Sequence, residues 1–256
     1  MIQKTQAVVL KTFNLRETSK IAVFYSQEFG KIKGLLKGIR ADAKKFATNL
    51  ELTSLNELIF YRKYRSDLHL VSQCDLKEDF PSIREDLKKS LAANYCLELI
   101  NSIMPLEDRN EEVFKLLVLF LKDLSALTEI EKLIYLFQVK ILSISGFKPH
   151  LDSCVVCNKK IEKDARFSHN LGGLVCSDCA FKDRNSQTVL MGTTASILHI
   201  EKSTWAEALR LGISFGIRQE LNSILNQFLT FHLERPLKTL RFYSKTFFKA
   251  PQRNLL

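Results

Sequence analysis

The first eighty residues carry short apolar stretches, at 7–10, 21–25, 32–36, 55–61 and 68–71, set off by polar ones. Several alternate apolar with polar side chains, the period of a strand with one buried face. Gly30, Gly34 and Gly38 fall where turns or bulges are needed. Five short strands with no long helix between them predict a small barrel, the OB-fold being the commonest of that kind.

From residue 81 the period lengthens to that of a helix. Ile83, Leu87, Leu91, Tyr95, Leu99 and Ile103 recur at helical spacing, Ser82 with Glu85 predicts a capping box, and Pro105 closes the segment. A second helix is expected over 111–126, apolar on nearly every side from 113 to 121. Such a helix is central in a bundle or lines a groove that a partner fills; the first reading is favoured because most apolar surface is core. A third starts at the Thr128/Glu131 capping box and ends at Gly146. Further helices are expected over 193–201, 204–211 and 217–234, the last with Ile217, Leu221, Ile224, Leu225, Phe228 and Phe231 on one face.

Between these helical regions stands Cys154-x-x-Cys157, eighteen residues, then Cys176-x-x-Cys179. Each knuckle places two thiolates on one side of an ion, so the pair predicts one tetrahedral zinc site. Four sulfurs fill the coordination sphere and leave no position for an activated water, which makes the zinc structural. Disulfides need an oxidising compartment that nothing in the chain suggests, and a redox C-x-x-C needs no second copy. His150 and His169 lie nearby but are surplus to four thiolates. Cys74 and Cys96 sit in apolar-periodic segments, as buried thiols do.

Composition alters this picture only through charge. With 46% hydrophobic and 26% charged residues, the chain can bury a substantial core. The apolar runs at 7–10 and 116–121 are too short for a signal peptide core or a bilayer span, so a soluble, cytoplasmic protein is expected. The net charge of +10 favours a polyanionic partner, nucleic acid before an anionic membrane. The clearest cationic concentration is Lys31, Lys33, Lys37, Arg40, Lys44, Lys45, Arg62, Lys63 and Arg65, opposed over the same stretch only by Asp42, Glu51 and Glu57. Phe46, Phe60, Tyr61 and Tyr64 are interleaved with it. Basic side chains follow phosphates and aromatic faces stack on unpaired bases, so these nine residues are the candidate nucleic-acid contacts; a solvated face is the alternative. Phe60 is read as core, while Tyr61 and Tyr64 fit either role. The end of the chain is basic too, with Arg235, Lys238, Arg241, Lys245, Lys249 and Arg253 and no acid after Glu234. It is either a second phosphate contact or a solubilising end.

No catalytic site is visible. His199-Ile200-Glu201 has the H-x-E form of zinc deaminases, but it follows both knuckles, Ser153 precedes Cys154 in place of Pro, and four thiolates close the metal. Neither a G-x-x-x-x-G-K-[ST] nor a G-x-G-x-x-G occurs. A zinc-containing transcription or RNA-binding factor is the alternative to a DNA-binding protein, with a nucleic-acid enzyme third.

Taken in order, several segments carry a resemblance: residues 5–10, Gly30-Lys31-Ile32, Lys37-Gly38-Ile39-Arg40, Leu68-His69-Leu70, and Ser145-Gly146-Phe147-Lys148-Pro149-His150-Leu151 leading into Cys154-x-x-Cys157. Their order and spacing over nearly the whole chain resemble the bacterial DNA repair and recombination mediator family RecO. The resemblance implies an N-terminal OB-fold, a helical domain and a zinc-finger-like module. It also implies a non-enzymatic protein that binds single- and double-stranded DNA and anneals complementary strands. Partners implied are RecR and the acidic C-terminal tail of single-stranded DNA-binding protein, with assistance in loading recombinase, in the bacterial cytoplasm at the nucleoid. Some members lack the cysteines, in keeping with a structural zinc. The expected architecture is therefore α+β and multidomain: an OB-fold barrel over 1–80, a helical domain over 81–148 and 185–245, an inserted four-cysteine zinc module over 149–184, and a basic tail over 246–256.

Overall fold

The computed structural model describes residues 1–42, 46, 50–161, 163–233, 237–240 and 246. Lys44, Lys45 and most of the basic end of the chain, including Arg235, Arg241, Lys245, Lys249 and Arg253, lie outside the described residues. The chain divides into two compact units, residues 1–130 with 237–256, and residues 131–236.

The first unit is built on a closed five-stranded barrel of β1 (Ile2–Leu15), β2 (Ser19–Ser26), β3 (Gly30–Leu36), β4 (Leu55–Tyr61) and β5 (Leu68–Glu78), in the order β1-β2-β3-β5-β4. All pairings are antiparallel except β3 with β5, the closure expected of an OB-type barrel. Each predicted strand is present, but β1 and β5 run well past their apolar stretches. A register shift between Val9 and Lys11 bends β1, whose first half, from Ile2 to Val8, pairs with β4 and whose second, from Ala7 to Leu15, pairs with β2. Alternation along β3 sends Ile32 and Leu36 inward, where they meet Val9, Phe24, Leu58, Phe60, Val71 and Cys74. Phe46 joins that core, as does Phe60.

Three helices complete this unit: α1 (Pro81–Glu85), α2 (Leu87–Ile103) and α3 (Glu111–Ala126). The predicted single helix from Ser82 is in fact broken at Asp86. Ser82 does not cap it; its hydroxyl faces the Ser125 hydroxyl at 2.7 Å, and Phe80 holds the cap position without a side-chain bond. Asp86 does the capping, accepting from the N–H groups of Lys88 and Lys89 at 2.7 and 3.0 Å. α2 lies against β1, which explains why Val8 and Tyr25 are buried although they face away from the barrel core. On α3 the apolar sides are buried, and Leu119 is what remains exposed of them between Lys115 and Lys122. Glu98 on α2 accepts the N–H groups of Lys238 and Thr239 and the Thr239 hydroxyl, at 3.0, 2.8 and 2.6 Å, fastening residues 237–240 to this unit.

The second unit places helices on both sides of the cysteine-bearing insertion: α4 (Ile130–Ile144) before it, then α5 (Met191–Lys202), α6 (Trp205–Leu209) and α7 (Phe215–His232) after it. The insertion carries a small antiparallel sheet of β6 (Arg166–Ser168), β7 (Gly173–Val175) and β8 (Gln187–Thr188), in the order β7-β6-β8, and a 3-10 helix Ser177–Lys182. Gln138 of α4 donates to Asn226 of α7 at 3.2 Å. Lys140 donates to the Glu201 carbonyl at 3.1 Å and to that of Ser203, closing the C-terminus of α5. Thr204 and Glu207 form a capping box at α6. No helix among the described residues is long and apolar enough to cross a membrane.

Candidate metal centre and nucleic-acid interface

The two knuckles meet because the residues around them zip together. The Val155 N–H donates to the Leu174 carbonyl at 2.8 Å, and the N–H groups of His150 and Leu174 donate to the carbonyls of Gly172 and His150 at 2.9 Å each. Gly173 is required at this crossing, since a Cβ there would lie 2.3 Å from the His150 carbonyl oxygen. Within the first knuckle, the Asn158 N–H closes onto the Cys154 carbonyl at 2.9 Å, with Asn158 at φ 59°, a left-handed turn that asparagine tolerates. In the second, the Cys179 N–H closes onto the Cys176 carbonyl at 3.1 Å.

The result brings the four Sγ atoms of Cys154, Cys157, Cys176 and Cys179 within 4.8 Å of one another, with Cys157 and Cys176 3.8 Å apart. Zinc–sulfur bonds of about 2.3 Å in a tetrahedron demand sulfurs about 3.8 Å apart, so the donor set fits a closed four-thiolate site. Burial pushes the Cys154 thiol up, but backbone N–H groups of Cys176, Cys157 and Val156 outweigh it and bring the group down to about 6. Burial and then the neighbouring thiols push Cys179 up to about 12. The Cys154 thiolate is thus held by the backbone, while Cys179 needs a cation to ionise beside it. Among the described residues the metal-competent group is these four cysteines. His150 pairs with the Ser153 hydroxyl at 2.8 Å, and His169 packs edge-on against Phe167 at 5.0 Å. Glu201 of the H-x-E triplet holds Lys148 at 2.6 Å.

The basic residues of the barrel fall into two groups, at opposite rims. Tyr25 pairs with Lys31, Lys33 with Leu68, and Ile2 with Tyr61, so Lys31, Lys33 and the β4–β5 connection bearing Arg62, Lys63 and Arg65 share one rim. Lys37 and Arg40 lie at the other, where the Arg40 N–H donates to the Thr18 carbonyl at 2.9 Å and its guanidinium to the Arg16 carbonyl at 3.1 Å. Along β3, Lys31 and Lys37 stand about 20 Å apart, with Lys33 between them.

Exposure and partners differ within the first group. The Lys31 ammonium is half-buried and donates to the Asn101 carbonyl of α2 at 2.6 Å; burial, then Lys33, pulls its pKa down. Arg62 donates to Glu107 at 2.6 Å while lying over the rings of Phe29 and Tyr64, 5.5 and 5.9 Å from their centroids. Lys63 and Arg65 are exposed. The two tyrosines left open by the sequence are both exposed, Tyr64 by 78% and Tyr61 by 45%. Tyr61 also completes a cross-strand row on the outer wall: Leu35 pairs with Leu70, Leu70 with Tyr61, and Tyr61 with Ile2. That wall is an apolar and aromatic band between two cationic rims.

The sequence reading missed Phe29, His69 and Glu107 at this rim. Buried His69 (1% exposed) accepts the Lys63 N–H on Nδ1 at 3.3 Å, which leaves Nε2 as the nitrogen that donates, 3.0 Å from Glu107. Only the Leu68-His69-Leu70 pattern hinted at it. The partner is 38 residues away and no local period announces it.

Comparison with known proteins covers both units. The family model described as Recombination protein O N terminal matches residues 1–80, and that described as Recombination protein O C terminal matches residues 84–241. A DNA repair protein RecO of Syntrophus aciditrophicus (strain SB) is 30% identical over 93% of this chain and 93% of its own length. One of Alkaliphilus metalliredigens (strain QYMF) is 31% identical over 92% and 95%. One of Pelotomaculum thermopropionicum is 31% identical over 98% and 96%.

Proposed function

The chain belongs to the RecO family of DNA repair proteins, and on that premise we propose that it is a non-enzymatic mediator of recombinational repair. It binds single- and double-stranded DNA, anneals complementary strands, and helps load recombinase onto DNA coated with single-stranded DNA-binding protein. The observation that carries this reading is the exposed pair Tyr61 and Tyr64 beside Lys63 and Arg65 on an OB-type barrel. Aromatic faces stack on unpaired bases without regard to sequence, and the flanking cations follow the phosphates. A strand lying over the Leu35–Leu70–Tyr61 row reaches Lys33 on the way and Lys37 and Arg40 at the far rim.

Zinc on Cys154, Cys157, Cys176 and Cys179 supplies a cross-link that holds the two knuckles together, with no part in a reaction. The partners are RecR and the acidic tail of single-stranded DNA-binding protein. Because α3 buries its apolar sides, we place the tail in the second unit, in an open groove of about 600 Å³ lined by His199, Lys202, Arg210 and Leu211. Its Lys202 and Arg210 outweigh the one carboxylate of the lining, Glu207, and attract an acidic peptide, while Leu211 offers an apolar contact. The protein acts in the bacterial cytoplasm, at the nucleoid.

The test is annealing of complementary oligonucleotides coated with single-stranded DNA-binding protein. Acceleration by the full chain, and its loss when the coating protein lacks its acidic tail, is the expected result. No acceleration on bare or coated strands refutes the proposal.

A further inference from the structure

The segment joining α2 to α3 crosses the same rim of the barrel that carries Lys63 and Arg65. Its Glu107 N–H donates to the Lys31 carbonyl at 2.8 Å, with Glu107 itself at φ 55°, a left-handed conformation that a non-glycine residue holds only when its surroundings impose it. The next residue fixes the segment further. Gly30 sits at φ 61°, and a Cβ there would lie 1.8 Å from the Asp108 carbonyl oxygen, so the β2–β3 turn and the crossing segment are in direct backbone contact. From this fixed base the Glu107 carboxylate reaches two groups that bracket the β4–β5 connection. One oxygen accepts from Arg62 at 2.6 Å, at the start of the connection, and the other faces His69 Nε2 at 3.0 Å, just past its end. The other nitrogen of His69 takes the Lys63 N–H, so both ends and the interior of the connection are tied to one side chain.

We propose that Glu107 is a positioning residue for nucleic-acid binding: it clamps residues 62–67 so that Tyr64, Lys63 and Arg65 face solvent together. This rests on the DNA-binding reading above. The clamp acts against the simplest electrostatic expectation. A carboxylate on a cationic rim repels phosphate and neutralises Arg62, so on charge alone its removal tightens binding. As a clamp its removal loosens binding, because the connection must be ordered anew each time a strand is held. The two accounts predict opposite signs for the same substitution.

The experiment compares Glu107→Ala and Glu107→Gln with the unaltered chain in two assays. In limited trypsin digestion read by mass spectrometry, Glu107→Ala is expected to speed cleavage after Lys63 and Arg65 by about tenfold or more, the loss of a charged hydrogen-bond pair. Cleavage in the second unit is expected to stay unchanged, which separates a local clamp from global destabilisation. In titration with an oligothymidylate, Glu107→Ala is expected to weaken binding several-fold at an unchanged salt slope, since no phosphate contact is removed. Glu107→Gln, whose one amide oxygen accepts from only one of the two donors, is expected to fall between Glu107→Ala and the unaltered chain in both readouts. Tighter binding by Glu107→Ala, or unchanged cleavage at Lys63 and Arg65, overturns the proposal. If the unaltered chain itself ignores the oligonucleotide, the DNA-binding reading fails, and the cleavage assay still decides the clamp. Should Glu107→Ala not fold, Arg62→Ala severs the half-exposed arm alone; faster cleavage after Lys63 and Arg65 then supports the clamp, and an unchanged rate refutes it.

Discussion

Lys31 and the Lys63/Arg65 pair share one rim but differ in what their charges do, and this separates phosphate contacts from structural cations. Lys63 and Arg65 are exposed, whereas Lys31 is half-buried with its ammonium on the Asn101 carbonyl. Each cation that neutralises a phosphate on a single strand contributes about 0.7 to the slope of log affinity against log salt. Changing Lys63 and Arg65 together to Ala therefore flattens the slope by about 1.4, which at 0.1 M salt, relative to 1 M, amounts to about 25-fold in affinity. Lys31→Ala leaves the slope unchanged and lowers stability by about 1 kcal/mol, the net value of one hydrogen bond. The opposite rim supplies a length test. Lys37→Ala with Arg40→Ala is silent on an oligonucleotide of about four residues held at the β4–β5 rim, and weakens binding to one of about sixteen that reaches both rims. Fluorescence anisotropy over a salt series measures all three. A slope that flattens for Lys31→Ala but not for the Lys63/Arg65 pair refutes the assignment of contacts, and the tail after Glu234 becomes the next place to look.

Three other outcomes follow from the same geometry. Elemental analysis is expected to find one zinc per chain, and Cys154→Ser to lose it together with most of the stability of the four-cysteine module, a site of this kind contributing on the order of 10 kcal/mol; retained melting temperature in that variant counts against the site. Asp183 accepts from the Ser168 hydroxyl at 2.5 Å, and this bond, partly offset by burial, holds its carboxyl below the usual carboxylate range. Its contribution is complete above the unfolded value and is lost as pH falls through the lowered one, so Asp183→Asn is expected to flatten the acid limb of a melting-temperature profile, and an unchanged limb contradicts this. Phe60 is fully buried, 5.4 Å from the rings of both Phe29 and His69, and Phe60→Ala is expected to cost about 3–5 kcal/mol in urea denaturation.

What the sequence disclosed, and what it hid, divides by the range of the interaction. The five strands, α3 and the knuckles are legible because each is written in a local period or spacing: alternation in β3, i to i+4 recurrence in α3, two cysteines three apart. Boundaries set by side-chain competition were less so. Ser82 and Glu85 have the form of a capping box, yet Asp86 caps α2 and Ser82 turns to Ser125, because a helix start is chosen by what packs around it as much as by its own residues. The basic strip shows the same limit at the site itself. Nine cations within 35 residues read as one surface, but residues adjacent in sequence on β3 and its hairpin diverge to opposite rims once the barrel closes. Lys31 and Arg62 find partners 70 and 45 residues away, at Asn101 and Glu107, and the Arg40 guanidinium donates to the Arg16 carbonyl. Clustering of charge in a sequence therefore locates a cationic element. Which of its charges remain for a phosphate is decided by what the fold lays across it, here the end of α2 with Asn101 and the connection from α2 to α3, whose own sequence, with Glu107 and Asp108 beside Arg109, gives no sign of a role at the barrel. A cation count taken along the chain overstates the available contacts by those tied to that segment, and the salt slope is the measurement sensitive to the difference, because it counts released counterions and is blind to side chains already bound to protein.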